Sequence, residues 1–294
     1  MRHPQYAPQS DLSAPARATA ETWRTAAGVV LSVTLYLVLA QGVVMLGIGL
    51  APRAAQEGTA AHALLRLVSV GMLAAAVAVT VVVVHGRRPV TLLGDPGRAP
   101  GRALRDFRRV LGPMAMLIAI TGAVQVLSLE AEALPLRPLS GWLVLLPLGL
   151  AAVLVQSASE EIVFRGYLQQ QLAARFSAPL IWLALPSALF AAVHYAPSVY
   201  GGNAGAIVVW AGVFGLAMAD LTARSGSPGA AIAVHFAMNA WSLLGLALPG
   251  PLVGLALYVL PFGASDEAAV RALLPVETLH LVLGWLTARL ALRV

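Results

Sequence analysis

Long apolar runs alternate with short polar stretches along the whole chain, and the runs set the expected elements. Ala26–Leu50, Leu64–Val84, Val110–Leu129, Trp142 to about Ala158, Ala178–Val193, Ile207–Leu221, Ala230–Leu248 and Leu273–Leu292 approach or reach the roughly 20 residues a helix needs to cross a bilayer. Pro251–Phe262 is shorter and bounded by prolines, so it reads as interfacial or re-entrant. Met1–Trp23 has no apolar run; it reads as a flexible cytoplasmic tail over 1–24, not as a signal peptide. The fold expected is all-α, a polytopic transmembrane bundle of about eight spanning helices. Residues 25–141 would supply the first spans, 142–248 a core, and 249–294 an interfacial segment and the last span. No repeat of fixed period is visible, so the inverted-repeat signature of many transporters is lacking.

Composition agrees with that pattern. Of the 294 residues 59% are hydrophobic and 11% charged, against about 45–50% and about 25% in a soluble domain. All 19 basic residues are Arg and there is no Cys, which removes disulfides, thiolate nucleophiles and Cys-ligated metals. In a membrane chain the net charge of +6 reports orientation and is no argument for nucleic acid. The 85–109 stretch carries Arg87, Arg88, Arg98, Arg102, Arg105, Arg108 and Arg109, whereas Leu129–Gly141 carries Glu130, Glu132 and Arg137. The arginine-rich loop is therefore expected in the cytoplasm, with both termini inside and the Tyr195–Ala206 loop outside. Arg53 and Arg66 are the exceptions; Arg66 is near enough to a span end to snorkel outward.

Ionisable groups inside spans cost about 2.5–3.5 kcal/mol each at the centre, so the few present narrow the search for chemistry. Glu160 and Glu161 end the fourth run; neighbours on a helix point about 100° apart, so they face different ways. Glu161 and Arg165 stand at i, i+4 in the favourable order and would pair, leaving Glu160 free. His194 ends the fifth run. His235 and Asn239 share a face of the seventh helix, and Asp220 with Arg224 would form a plain i, i+4 pair. Around a turn at Arg175–Ser177, Glu160 lies 15 residues back and His194 17 forward, so antiparallel helices would bring both to about 22–26 Å from that turn. Each cluster alone has a bland reading: a boundary ion pair, an interfacial His, or interhelical glue. His62, His85 and His280 lack polar partners at helical spacing and receive no role.

Glu160-Glu161-x-x-x-Arg165, Phe190-x-x-x-His194 and His235-x-x-x-Asn239 in this order resemble the three signature motifs of the CPBP family, the type II CAAX prenyl endopeptidases and their bacteriocin-processing relatives. The Gly212–Ser227 stretch is similar to that family's penultimate helix and basic turn, and the likeness extends over about Trp142–Leu248. The resemblance implies a glutamate-type intramembrane endopeptidase. In it Glu160 would be the general base on a water also held by His194, and His235 and Asn239 would donate to the oxyanion. Glu161 and Arg165 would be the supporting pair, and Phe190 would pack on the motif helix. No cofactor is favoured. Zinc on Glu160, His194 and His235 is the alternative, but the His-x-x-x-His pair on one helix that signals it more specifically is absent.

Expected partners are membrane lipids and a protein or peptide substrate, lipidated or not. The Arg-only, Ala- and Gly-rich composition looks like a bacterial chain of the cytoplasmic membrane, where leader cleavage or membrane-protein processing fits better than prenylated CAAX substrates. Two other classes compete. A non-catalytic immunity or partner-binding protein keeping the fold would not need all four polar residues, and a transporter would need polar residues on more of its helices.

Overall fold

The computed structural model describes residues 4–128 and 138–294. A short helix, α1 (Ala7–Ser13), precedes α2 (Thr22–Leu50), and α3 (Ala60–Val70) and α4 (Met72–Val83) together make one span broken at Gly71. α5 (Arg102–Ser128) follows, then α6 (Leu139–Glu161), which runs through a π-helical turn at Ile162–Gln169 into α7 (Gln170–Arg175). The rest is α8 (Pro179–Ala192), α9 (Pro197–Tyr200), α10 (Ala204–Ser225), α11 (Gly229–Ala240) with a π turn to Gly245, and α12 (Glu267–Leu292). Among the described residues every one of the eight apolar runs is mainly helical, the seventh passing into extended chain at Leu246. Six helices are long and apolar enough to cross a membrane, while Pro179–Ala192 and Gly229–Gly245 are shorter than the full spans expected for them. Many of their outward Leu, Val and Ile side chains are exposed, as lipid contact requires and water would oppose. The chain is an integral membrane helical bundle.

Helix ends follow local chemistry. Thr59 and Asp266 cap α3 and α12 by accepting from the backbone N–H of His62 and Ala269 at 3.1 Å each. Gly226 closes α10 in the left-handed conformation, at φ 73°. Close approach needs small residues: a Cβ at Gly229 of α11 would collide with the Ala103 carbonyl of α5, and one at Gly166 would stand 2.6 Å from the Leu92 carbonyl. The core lies between α5, α8, α10, α11 and the π-helical turn, around Met114, Tyr167, Phe190, Phe214, Met218 and Val234.

At four places the described residues depart from the expected pattern, add to it or stop short of it. The segment before α2 is not an unpacked tail: Gln9, Leu12, Ser13 and Ala16 are buried. It closes over the end of the motif helix, where Gln169, Gln170 and Gln171 are fully buried. Gln169 donates to Gln9 at 2.9 Å and Gln170 to the Leu12 carbonyl at 2.8 Å. The segment carries no apolar run, yet it satisfies buried amides and buries Leu12 and Ala16. Second, Pro251–Phe262 forms no helix long enough to span. It holds a 3-10 turn at Val253–Leu255 and a two-residue strand, β2 (Tyr258–Val259), parallel to β1 (Leu246–Ala247). Third, Glu130, Glu132 and Arg137 lie outside the described residues. Fourth, the Asp220–Arg224 pair forms at 2.8 Å, and Asp220 also accepts from Tyr6 at 2.8 Å and from Trp285 at 2.9 Å.

His85, given no role from sequence, has partners distant in the chain. Its ring nitrogens lie 3.1 Å from the Thr19 hydroxyl and 3.0 Å from the Tyr167 hydroxyl. Burial, and then the neighbouring Arg87 charge, lower its pKa from 6.5 to about 4. The unfolded chain therefore binds a proton that the folded chain refuses between those values. This contribution to stability is complete above about pH 6.5 and is lost as pH falls toward 4. Thermal melts in detergent should show wild type losing more stability between pH 6.5 and 5 than His85→Gln does; equal slopes would exclude His85 as a source.

Candidate active site

The motif residues sit where α6 passes into its π-helical turn, a distortion that recurs at functional sites because it re-aims side chains. Glu161 and Arg165 are both wholly buried and pair at 3.0 Å, Nη1 to Oε1. The other guanidinium arm donates to the Gly215 carbonyl of α10 at 2.9 Å, and the guanidinium carbon lies 5.1 Å from the Phe190 ring centroid. Phe190 also meets Phe164 edge-on at 5.2 Å. It packs on the motif helix as expected.

Glu161 does more than pair with arginine. Its Oε1 lies 2.8 Å from His235 Nδ1, which fixes the proton on Nδ1 and holds the buried imidazole edge-on against Phe214. His235 Nε2 then points toward Glu160, 3.7 Å from Oε2. A neutral ring bonded in this way is an acceptor at Nε2, and only the doubly protonated ring presents a donor there. His235 thus bridges the two carboxylates from behind the site.

Glu160 is the more accessible acid, 17% exposed against 0% for Glu161. It is not free of partners: Gln156, one turn earlier, donates to its Oε1 at 2.7 Å. Asn239 in turn donates to Gln156 Oε1 at 2.9 Å, and Ser157 adds a bond to the same oxygen at 3.1 Å. Gln156 is a member of this network that charge alone does not single out in the sequence. Its i, i+4 spacing to Glu160 within an apolar run was the available signal.

His194, at the end of α8, has Nδ1 2.7 Å from the Phe190 carbonyl, which assigns the proton to Nδ1 and leaves Nε2 as an acceptor. Glu160, His194 and Asn239 line one cavity of about 720 Å³ together with Gln156, Tyr36 and Arg66. The depth match inferred from chain spacing thus brings the carboxylate and the imidazole to one chamber. A second, apolar cavity of about 500 Å³ shares Glu160, His194, Tyr36, Leu37 and Val70 with it and continues between α2, α4 and α8. Among the described residues no three His, Asp or Glu side chains gather to hold a metal ion. The site therefore offers a carboxylate and an imidazole acceptor facing a polar chamber, with a side-chain amide beside them.

No curated protein and no solved structure matches the chain. Residues 142–241 match the family model for type II CAAX prenyl endopeptidase Rce1-like proteins, and those bounds enclose Glu160, Glu161, Arg165, His194, His235 and Asn239. Over residues 142–241 the bundle is thus similar to the Rce1-like type II CAAX prenyl endopeptidases.

Proposed function

We propose that this membrane protein is an endopeptidase that hydrolyses a peptide bond of a membrane-associated protein or peptide, with Glu160 as general base. The carrying observation is that Glu160 and His194 line one polar chamber inside an otherwise apolar bundle. A water between Glu160 and the acceptor Nε2 of His194 loses a proton to the carboxylate as its oxygen attacks the scissile carbonyl. The oxyanion then takes hydrogen bonds from Asn239 and, in its doubly protonated form, from His235 Nε2, which Glu161 orients. Glu160 returns the proton to the leaving amine. The acyl product departs as a carboxylate.

Catalysis without metal is part of the proposal. Among the described residues no three His, Asp or Glu side chains gather as a metal site, and Gln156 and Ser157 complete a hydrogen-bonded network around Glu160 that works with water alone. Full activity after exhaustive chelation would support it; loss restored by zinc would contradict it. Retention of the fold without catalysis, as an immunity or partner-binding protein, is the second reading, and the intact polar set weighs against it.

The arginine-rich 85–109 loop supports an orientation with the N-terminus in the cytoplasm of a bacterial cell. The chamber lies toward the opposite face, since Tyr200, Pro251 and Leu252 help to line it. Substrate would then approach from outside, which fits leader cleavage of an exported peptide or trimming of another membrane protein. Because the chain has no Cys, single cysteines placed at Gly97, Gly202 and the C-terminus test this with an impermeant thiol reagent on intact cells. Only the Gly202 site should label. Labelling at Gly97 would invert the orientation. The substrate itself should emerge from the terminal peptides of the membrane proteome compared between cells with active protein and with Glu160→Gln.

A further inference from the structure

Arg66 on α3 is the charge that fits the orientation pattern least, and the structure places it on the wall of the catalytic chamber. Among the described residues its guanidinium makes no hydrogen bond or ion pair. Among the described residues it is the one arginine lining this cavity, and Glu160 the one carboxylate. Tyr36 lies within electrostatic reach of both. Arg66 is exposed near the N-terminal end of its span, on the wall of a chamber whose polar lining, besides Glu160 and His194, consists of amides and hydroxyls such as Gln41, Ser69, Tyr200 and Ser242. Those groups match the N–H and C=O groups of an extended peptide.

We propose that Arg66 anchors a carboxylate of the peptide substrate while the scissile bond lies at Glu160. A guanidinium matches a carboxylate with two parallel hydrogen bonds, and one positive charge balances one carboxylate. The carboxylate is the substrate's C-terminus or an Asp or Glu side chain. The inference rests on the protease reading for the position of the scissile bond, and its test separates the two.

The test uses the full chain in detergent and a degenerate decapeptide library prepared both as free acids and as C-terminal amides, with products read by mass spectrometry. Wild type should cleave free acids more efficiently than amides by about 10- to 100-fold, the size of a lost hydrogen bond to a charged group, and mainly through KM. In Arg66→Gln the acid-to-amide ratio should fall to near one, and Arg66→Lys should restore part of it. A preference that follows internal Asp or Glu, equally in both preparations, and vanishes in Arg66→Gln would assign the anchor to a side-chain carboxylate. Retention of any acid preference by Arg66→Gln would overturn the inference. So would an Arg66→Gln defect seen only in vesicles of anionic phospholipid, which would make the arginine a headgroup contact. Pull-down of the same peptides by Glu160→Gln, with and without Arg66→Gln, reads binding alone. If wild type cleaves nothing, the protease reading fails, and a carboxylate-dependent pull-down lost with Arg66 still sustains the anchor; a pull-down indifferent to Arg66 overturns it.

Discussion

Arg165→Ala is expected to lower the stability of the protein in detergent by about 3–5 kcal/mol, the cost of leaving one partner of a buried pair uncompensated. Four contacts converge on Arg165: the salt bridge to Glu161, the Gly215 carbonyl, and the rings of Phe164 and Phe190. It therefore ties α6 to α8 and α10 at the level of the site. Its loss would free the Glu161 carboxylate that also holds His235, so activity should fall with stability. Glu161→Ala should do the same, while Glu161→Gln should retain more fold than function, because an amide still packs but supplies no charge to Arg165 and His235. A melting temperature lowered by on the order of 10 °C or more would agree with this account. Unchanged melting and unchanged cleavage in Arg165→Ala would remove the pair from it.

Hydrophobic patterning made the bundle legible because a bilayer imposes one rule on every span: apolar length with internally satisfied backbone. That is why the helices match the apolar runs, down to the shorter α8 and α11. The failure lies in the first 20 residues, which carry no such signal. Tyr6, Gln9 and Thr19 are held by partners up to 214 positions away, and patterning along a chain does not register a polar side chain whose partner is distant.

The site divided in the same way. The Glu161–Arg165 and Asp220–Arg224 pairs were readable because i, i+4 spacing is a local geometric fact. From the family resemblance His235 is expected as a donor to the oxyanion. Its bond to Glu161, across 74 positions, is tertiary, and with it comes the finding that Nε2 donates only from the doubly protonated ring. Gln156 was overlooked because an uncharged amide in an apolar run attracts less notice than a charge, although it joins Glu160 to Asn239. Arg66 stood out as an exception to the charge pattern, and only the folded chain shows that it lines the same chamber as Glu160.

Glu160→Gln is expected to reduce peptide-bond cleavage by about 100- to 10 000-fold, the contribution of a positioned general base. The amide keeps the size of the side chain and a partner for Gln156, so insertion and melting should stay close to wild type. His194→Ala should approach the same loss by releasing the water. Asn239→Ala should cost about 100- to 1000-fold as an oxyanion donor. The decisive measurement is single-turnover cleavage of a substrate identified from the membrane proteome, by chelator-treated wild type and Glu160→Gln reconstituted side by side in vesicles. The account predicts cleavage by the treated wild type and almost none by a folded Glu160→Gln. Near-normal turnover by Glu160→Gln would contradict it.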